Sequence, residues 1–584
     1  MIRRSSSRVV ITVIAVATAA TVTAACSSGR SGPSPAADLI ITNGRVYSMA
    51  WPEPGPDGSP AVGAPATGGD AEAVAVRGGT IVFVGSADAA DRFRGESTRV
   101  IDVAGATVLP GLIDSHTHVG NLGALLERVG LVDVQTEEEA VALVAERAKD
   151  VPAGEWIVGQ GWDEGAWANR YPTMALLTER VPNHPVFMRS LHSFAAWGNR
   201  MAFERAGITA DTPAPTGGEI LLGPDGQPTG ILLNRATTLL EDAIPTPTTD
   251  QLKTRLVTAL TQMANDGFVA VHEAGLDATE MAAFEALERE GRLPIRVYAM
   301  LSARDTELSR AWLAKGPDRD RDSLLVTRSV KAFYDGALGS RGARMIEDYS
   351  DRPGYTGVSG TDYGFDEALV ADMMKAGFQV GIHAIGDAGN RETLNFIERV
   401  IAEDPGVRGG RHRIEHAQVV HPDDIPRFAA LGVIASMEPA HAVEDKTWAE
   451  DRVGPERIKG AYAWRTLRKA GARLAFNSDN PGSDHNIFYG LHAAITRRDK
   501  QRQPADGWYP EQRMTADEAI RGYTTWGAYA GFAEAETGIL APDRWADITV
   551  MDIDPFALAT TDPGAILDGS IVLTISNGQV VYEK

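Results

Sequence analysis

The amino-acid sequence predicts an α/β fold: a barrel of about eight βα units, with a large insertion after the first barrel strand and a small β-sandwich built from both chain termini. Three observations predict it. A helix, a glycine and a short apolar strand recur through the middle of the chain. Strand-like runs cluster at the two ends. Residues 119–265 hold too much chain for one βα connection.

The terminal strands come first. Leu39 to Tyr47 reads as a hairpin, because Asn43-Gly44 offers the two positive-φ residues of a type I′ turn. A Pro/Gly-rich loop follows over 51–69, then strand-like runs at 73–85 and 99–109. The far end echoes this pattern, with a strand at 546–551 and a second Asn-Gly turn, Asn577-Gly578, inside 574–582. The expected unit combines 38–108 with 540–584; two unrelated hairpins are the alternative.

The barrel is expected over 109–539. A capping box at Thr136 and Glu139 opens one helix. Helical runs at 250–265, 365–376, 426–431 and 464–470 each meet a glycine (Gly267, Gly377, Gly432, Gly471) and pass into strands at 268–271, 378–382, 433–435 and 473–476. An open doubly wound sheet competes, but no Gly-rich phosphate loop opens a helix. The insertion at 119–265 carries Trp156, Trp162, Trp167 and Trp197 and reads as a substrate-capping lid, with an independent domain as the alternative.

Composition narrows the function. The 584 residues exceed one simple core, and 43% hydrophobic with 23% charged residues is ordinary globular usage. A net charge of −22, from 78 acidic and 56 basic residues, repels nucleic acid and anionic membrane surfaces, so neither is an expected partner. The only cysteine is Cys26, which excludes an internal disulfide or a thiolate zinc cluster; a metal must be held by His, carboxylate or a modified Lys. Arg3, Arg4 and Arg8 precede an apolar run at 9–22 that is short for a membrane span. Thr23-Ala24-Ala25-Cys26 and the flexible segment after it resemble a bacterial lipoprotein signal. That resemblance implies a signal peptide at 1–25, lipidation of Cys26, a tether at 26–37, and an exported protein touching the membrane only through its lipid anchor. An ordinary secretory signal is the alternative. A homo-oligomer stays open.

The candidate chemistry lies at strand ends. His116 and His118 follow the apolar run 106–110, and residues i and i+2 of an extended segment point the same way, so both imidazoles can face one metal. His383, His416 and Asp479 likewise end short apolar runs. In a barrel all such ends share one rim. A single histidine in this position is more often a core or loop residue; four His and an Asp in the same context make coincidence the poorer account. Lys331 starts Lys-Ala-Phe-Tyr-Asp-Gly. Buried, it would shift toward the neutral amine, which can capture carbon dioxide as a carbamate and bridge two cations; a surface lysine at a strand start is the alternative.

Segments 111–118, 331–341, 383–390, 413–418 and 478–481, with 514–519 and 538–547, together resemble the amidohydrolase superfamily, in the branch that includes N-substituted formamide deformylases. The resemblance implies a distorted TIM barrel, a sandwich from both termini and a metal centre. In it His116 and His118 hold the more buried ion, His383 and His416 the other, Lys331 bridges as a carbamate, and Asp479 is ligand and base. It implies one or two divalent ions, zinc foremost, and hydrolysis of a non-peptide C–N bond in a small amide or formamide by metal-activated hydroxide. His192 and Phe194 stand where relatives often carry an Asp-x-His pair, and Asn234 where an acidic residue is common. His192, Trp162 and Arg341 are candidate substrate contacts. A mononuclear deaminase, an ester or lactone hydrolase on the same barrel, and a non-catalytic small-molecule-binding lipoprotein are the competing functions.

Overall fold

The structure, a computed structural model, describes residues 35–584 apart from 133, 164–166, 168–170 and 192. The signal segment, Cys26 and most of the tether lie outside the described residues, as does His192.

Eight strands form one parallel sheet in sequence order: β1 (Leu112–Thr117), β2 (Phe268–Leu276), β3 (Arg296–Ser302), β4 (Leu325–Phe333), β5 (Gln379–Ala384), β6 (Arg413–His416), β7 (Ile434–Met437) and β8 (Arg473–Phe476). The helix stops are as expected: Gly267, Gly377, Gly432 and Gly471 have φ of 92°, 88°, 73° and 88°, the left-handed conformation that ends a helix without a Cβ clash. β2 runs five residues past its expected end at Val271, through the buried polar pair His272 and Glu273, which breaks the apolar pattern. The ring nearly closes. β1 and β8 share no ladder; instead Asp479 N–H donates to His116 C=O at 2.9 Å and His118 N–H to Asn480 C=O at 2.8 Å. The seam is therefore drawn together by the segments carrying the candidate ligands. The expected barrel is borne out, and the open doubly wound sheet is excluded.

Two further sheets pack face to face at the termini. One is ordered 80–85, 73–77, 39–42, 99–102; the other 45–46, 107–110, 548–551, 571–576, 579–583. Leu39, Ile41, Val74 and Val76 of the first meet Val108, Ile548, Val550 and Ile575 of the second in a common core. The two Asn-Gly pairs behave differently. Asn577 (φ 51°) and Gly578 (φ 74°) turn a true hairpin. Asn43-Gly44 does not: Leu39–Thr42 and Arg45–Val46 belong to different sheets, so the expected first hairpin is corrected to a crossover. A Cβ on Gly44 would lie 2.8 Å from Val108 Cγ2, so this glycine serves close approach between layers rather than turn geometry.

The insertion has its own six-stranded sheet, made of 129–130, 157–162, 186–190, 195–198, 218–222 and 228–234. Its flanking helices, Val119–Glu127 and Thr249–Asn265, pack on each other beside the barrel, so the inserted layer is narrower than 119–265. Among the described residues no helix is long and apolar enough to cross a membrane.

Candidate metal centre

Alternation along β1 points His116 into the barrel, and the extended chain after it brings His118 to the same side. His116 Nδ1–H donates to Glu415 at 2.7 Å, which leaves Nε2 as the lone-pair nitrogen. That Nε2 lies 2.9 Å from Lys331 Nζ and 3.5 Å from Asp479 Oδ1, while His118 Nε2 is 3.1 Å from the same carboxylate oxygen. The ligand atoms of His116, His118 and Asp479 all fall within 4.8 Å of one another.

Two of the residues reach the centre through unusual backbone. On β6, Arg413 and Glu415 point inward, so strict alternation would send His416 out; φ of 72° at His416 and 41° at Ala417 turns it back. Its ring then sits 5.3 Å from that of His116 and 4.5 Å from that of His383 on β5. Asp479 also has positive φ, 52°. Such conformations cost roughly 1–3 kcal/mol each in a residue with a Cβ and persist where the surroundings over-determine them. The structure thus gathers His116, His118, Lys331, His383, His416 and Asp479 at one mouth.

The donor chemistry suits a divalent cation. Three imidazoles have a buried carboxylate behind them: Glu415 for His116, Glu438 for His416 (Nδ1 to Oε1 3.2 Å) and Asp335 facing His383 (Nε2 to Oδ1 3.8 Å). In each pair the carboxylate faces one nitrogen and leaves the other for the centre, and the His116–Glu415 hydrogen bond fixes that ring's orientation and raises its basicity. Imidazole nitrogens with one ionised carboxylate match a borderline ion such as zinc. Burial, reinforced by Lys331, lowers His116 to about 4, and burial with His416 alongside holds His383 well below the usual range, so both are neutral donors. Burial works against the charge on Asp479, but His118 and His416 outweigh it and keep the carboxyl well below its usual range. Burial also lowers Lys331, against the pull of Glu415 and Asp479. His416 runs the other way: Glu438 and Asp479 overcome its burial and raise it, so this position attracts positive charge.

Behind the centre lies a buried chain. Arg413 Nε is 2.8 Å from Glu415, and its Nη1 donates to Ser115 C=O at 3.1 Å and His272 Nδ1 at 2.9 Å. Arg413 and Glu415 are fully buried. Asp335 accepts from the backbone N–H groups of Arg344, Ile385 and Gly386 at 2.8, 2.9 and 2.9 Å, although burial still pushes it up to about 7. Glu438 also approaches His441 Nδ1 at 3.5 Å, and His441 Nε2 is 3.0 Å from Asp445. Sequence reasoning singled out none of Asp335, Glu415, Glu438 or His441. Signals existed: Asp335 and Glu415 sit inside the segments 331–341 and 413–418, and Glu438 follows the run 433–435 as His383 follows its own.

Two candidate substrate contacts do not join the cluster. Trp162 is fully buried, donates from Nε1 to Met188 C=O at 3.0 Å and packs against Trp167 and Trp197 with ring centroids 5.9 and 6.4 Å away. It is core of the insertion, because an indole N–H satisfied there has no reason to face a pocket. Arg341 is committed to Asp351 through two bonds of 3.1 and 2.7 Å, holding a rim loop.

The model of the amidohydrolase family, Amidohydro_3, matches residues 99–582. The chain belongs to the amidohydrolase family. It is 31% identical to YtcJ of Bacillus subtilis (strain 168) over 527 residues, 88% of this chain and 96% of that one. It is 28% identical to the N-substituted formamide deformylase of Arthrobacter pascens over 533 residues, 88% of this chain and 95% of that one. Among solved structures, an uncharacterized metal-dependent hydrolase from Pyrococcus furiosus superposes with a TM-score of 0.69 at 26% identity, covering 89% of this chain and 99% of that one.

Proposed function

We propose that this protein hydrolyses a non-peptide C–N bond, amide or formamide in type, in a small molecule, using one or two divalent ions, zinc foremost. The reading rests on one observation: four imidazoles, an ionised carboxylate and a buried lysine converge at the C-terminal mouth of the barrel. A cation held by His116, His118, His383, His416 and Asp479 would lower the pKa of a water from 15.7 toward roughly 7 and polarise a carbonyl. Asp479, ionised and 3.1 Å from His118, accepts the proton of the attacking water and returns it to the departing amine, which leaves poorly without it. Lys331, lowered by burial and free of any carboxylate within hydrogen-bonding distance among the described residues, suits carbamate formation and hence a second ion. The similarity to the N-substituted formamide deformylase of Arthrobacter pascens supports a formamide or related amide as substrate. The N-terminal segment supports export and anchoring by lipid at Cys26, which mass spectrometry of the N-terminal peptide tests.

The decisive experiment strips the purified protein with a chelator, restores zinc, and assays an aryl formamide with a panel of N-acyl compounds beside measured metal content. Activity lost on chelation, regained with zinc and abolished in Asp479→Asn supports the proposal. Turnover indifferent to the chelator overturns it, and turnover confined to esters or lactones replaces the C–N reading with the ester one. Two equivalents of metal in the wild type falling to one in Lys331→Ala supports the carbamate bridge.

A further inference from the structure

The mouth of the barrel holds an arginine that the metal chemistry does not use. Arg304 lies two residues beyond the end of β3, on the rim that carries the candidate ligands. Its guanidinium sits over the ring of Phe333, the last residue of β4, with Cζ 4.0 Å from the ring centroid, and approaches Tyr363 at 5.7 Å. Phe333 in turn packs against His383, ring centroids 5.4 Å apart, and its centroid is 4.9 Å from Lys331 Nζ. One aromatic ring therefore separates Arg304 from the cluster. Neighbouring rim arginines are spoken for: Arg341 and Arg452 share Asp351, and Arg344 meets Glu392. Arg304 is exposed, and among the described residues no hydrogen bond or ion pair reaches it, in a chain where acids outnumber bases 78 to 56.

We propose that Arg304, held over the ring of Phe333, is a recognition site for a carboxylate carried by the substrate, so that the amide hydrolysed is an acidic one, such as an N-acylated amino acid. The inference rests on the amide-hydrolase reading above and names its substrate class. The ring holds the guanidinium in place while, among the described residues, no protein acceptor takes its N–H groups, so its fork is free to grip a carboxylate through two parallel bonds. The aromatic support lowers the conformational cost of holding the fork still. The scissile carbonyl would sit at the His383 side of Phe333 and the carboxylate at the Arg304 side, several bonds apart.

The test is calorimetric binding of the non-hydrolysable ketomethylene isostere of N-acetylphenylalanine, as the free acid and as its neutral primary amide, to metal-loaded protein, wild type against Arg304→Gln and Arg304→Lys. The proposal expects wild type to favour the acid by roughly 10- to 100-fold, the worth of a charge-assisted pair. That ratio should collapse toward one in Arg304→Gln and return in part in Arg304→Lys, with metal content equal in all three. No preference for the acid in wild type, or one that survives in Arg304→Gln, overturns it. Either failure leaves the chelator and zinc experiment untouched, so the two readings fail separately.

Discussion

Gly381 stands opposite Lys331 on the strand next to it, and its missing side chain is occupied space. A Cβ there would lie 2.4 Å from Glu415 Oε1 and 2.6 Å from Met300 Cε. Met300 can swing its methyl aside. Glu415 cannot, because it is held at 2.8 Å by Arg413 and at 2.7 Å by His116, all three buried. Gly381→Ala must therefore overpack the interior or push the carboxylate off His116. Overpacking by one methyl costs about 1–3 kcal/mol. Loss of the Glu415 bond frees His116 to present the wrong nitrogen, and losing such support costs typically 10- to 100-fold in metal affinity. Competition for zinc against a chromophoric chelator, beside urea unfolding of the metal-free protein, reads both quantities. A variant that binds zinc as tightly as wild type and unfolds at the same urea concentration would show that Glu415 does not orient His116, and the chain from Arg413 to the centre would lose its meaning.

Glu415→Gln keeps the shape and removes the charge; zinc affinity should drop at least tenfold, with Arg413 left buried beside a neutral amide and stability reduced as well. Glu518, fully buried between Arg465 and Arg468, anchors the loop whose carbonyls at Pro54 and Pro56 those arginines also bind, so Glu518→Ala should cost about 3–5 kcal/mol in denaturant unfolding. His412 is lowered to about 4 by burial, against an ordinary value near 6.5. The unfolded chain thus binds more protons between those limits, and stability from this group falls by about 3 kcal/mol as pH drops through that window. His412→Gln should flatten the acid side of the melting-temperature profile relative to wild type, and parallel profiles would contradict the assignment. Arg341→Ala, which breaks a partly exposed pair with Asp351, should leave the thermal unfolding transition essentially where it is in wild type and leave metal content intact.

The barrel was legible because its signals are local. Helix, stop glycine and apolar strand lie within a few residues of one another, and His116-Thr117-His118 announces itself by spacing. What escaped was set by contacts far apart in sequence or by backbone no alternation rule anticipates. Glu415 meets His116 across 299 positions, and its adjacency to His416 suggested opposite faces until φ of 72° brought both inward. Asn43-Gly44 carried the same two letters as Asn577-Gly578, yet only packing against Val108 decides that the first pair crosses layers. Trp162 stood in a tryptophan-rich stretch that suggested a pocket wall, and the partner for its indole N–H lay on a neighbouring strand.

The sandwich has a consequence for how the polypeptide matures. Residues 107–110, which lead directly into β1, are flanked by 45–46 on one side and by 548–551 on the other. While a ribosome is still extending the chain, that position has only half of its neighbours. A nascent product halted before residue 548 would leave one flank of the segment feeding the first histidine pair unprotected, exposed to proteases and to stray strands. The last few dozen codons thus act as a clasp, and loss of the tail would be felt at the opposite end of the gene product.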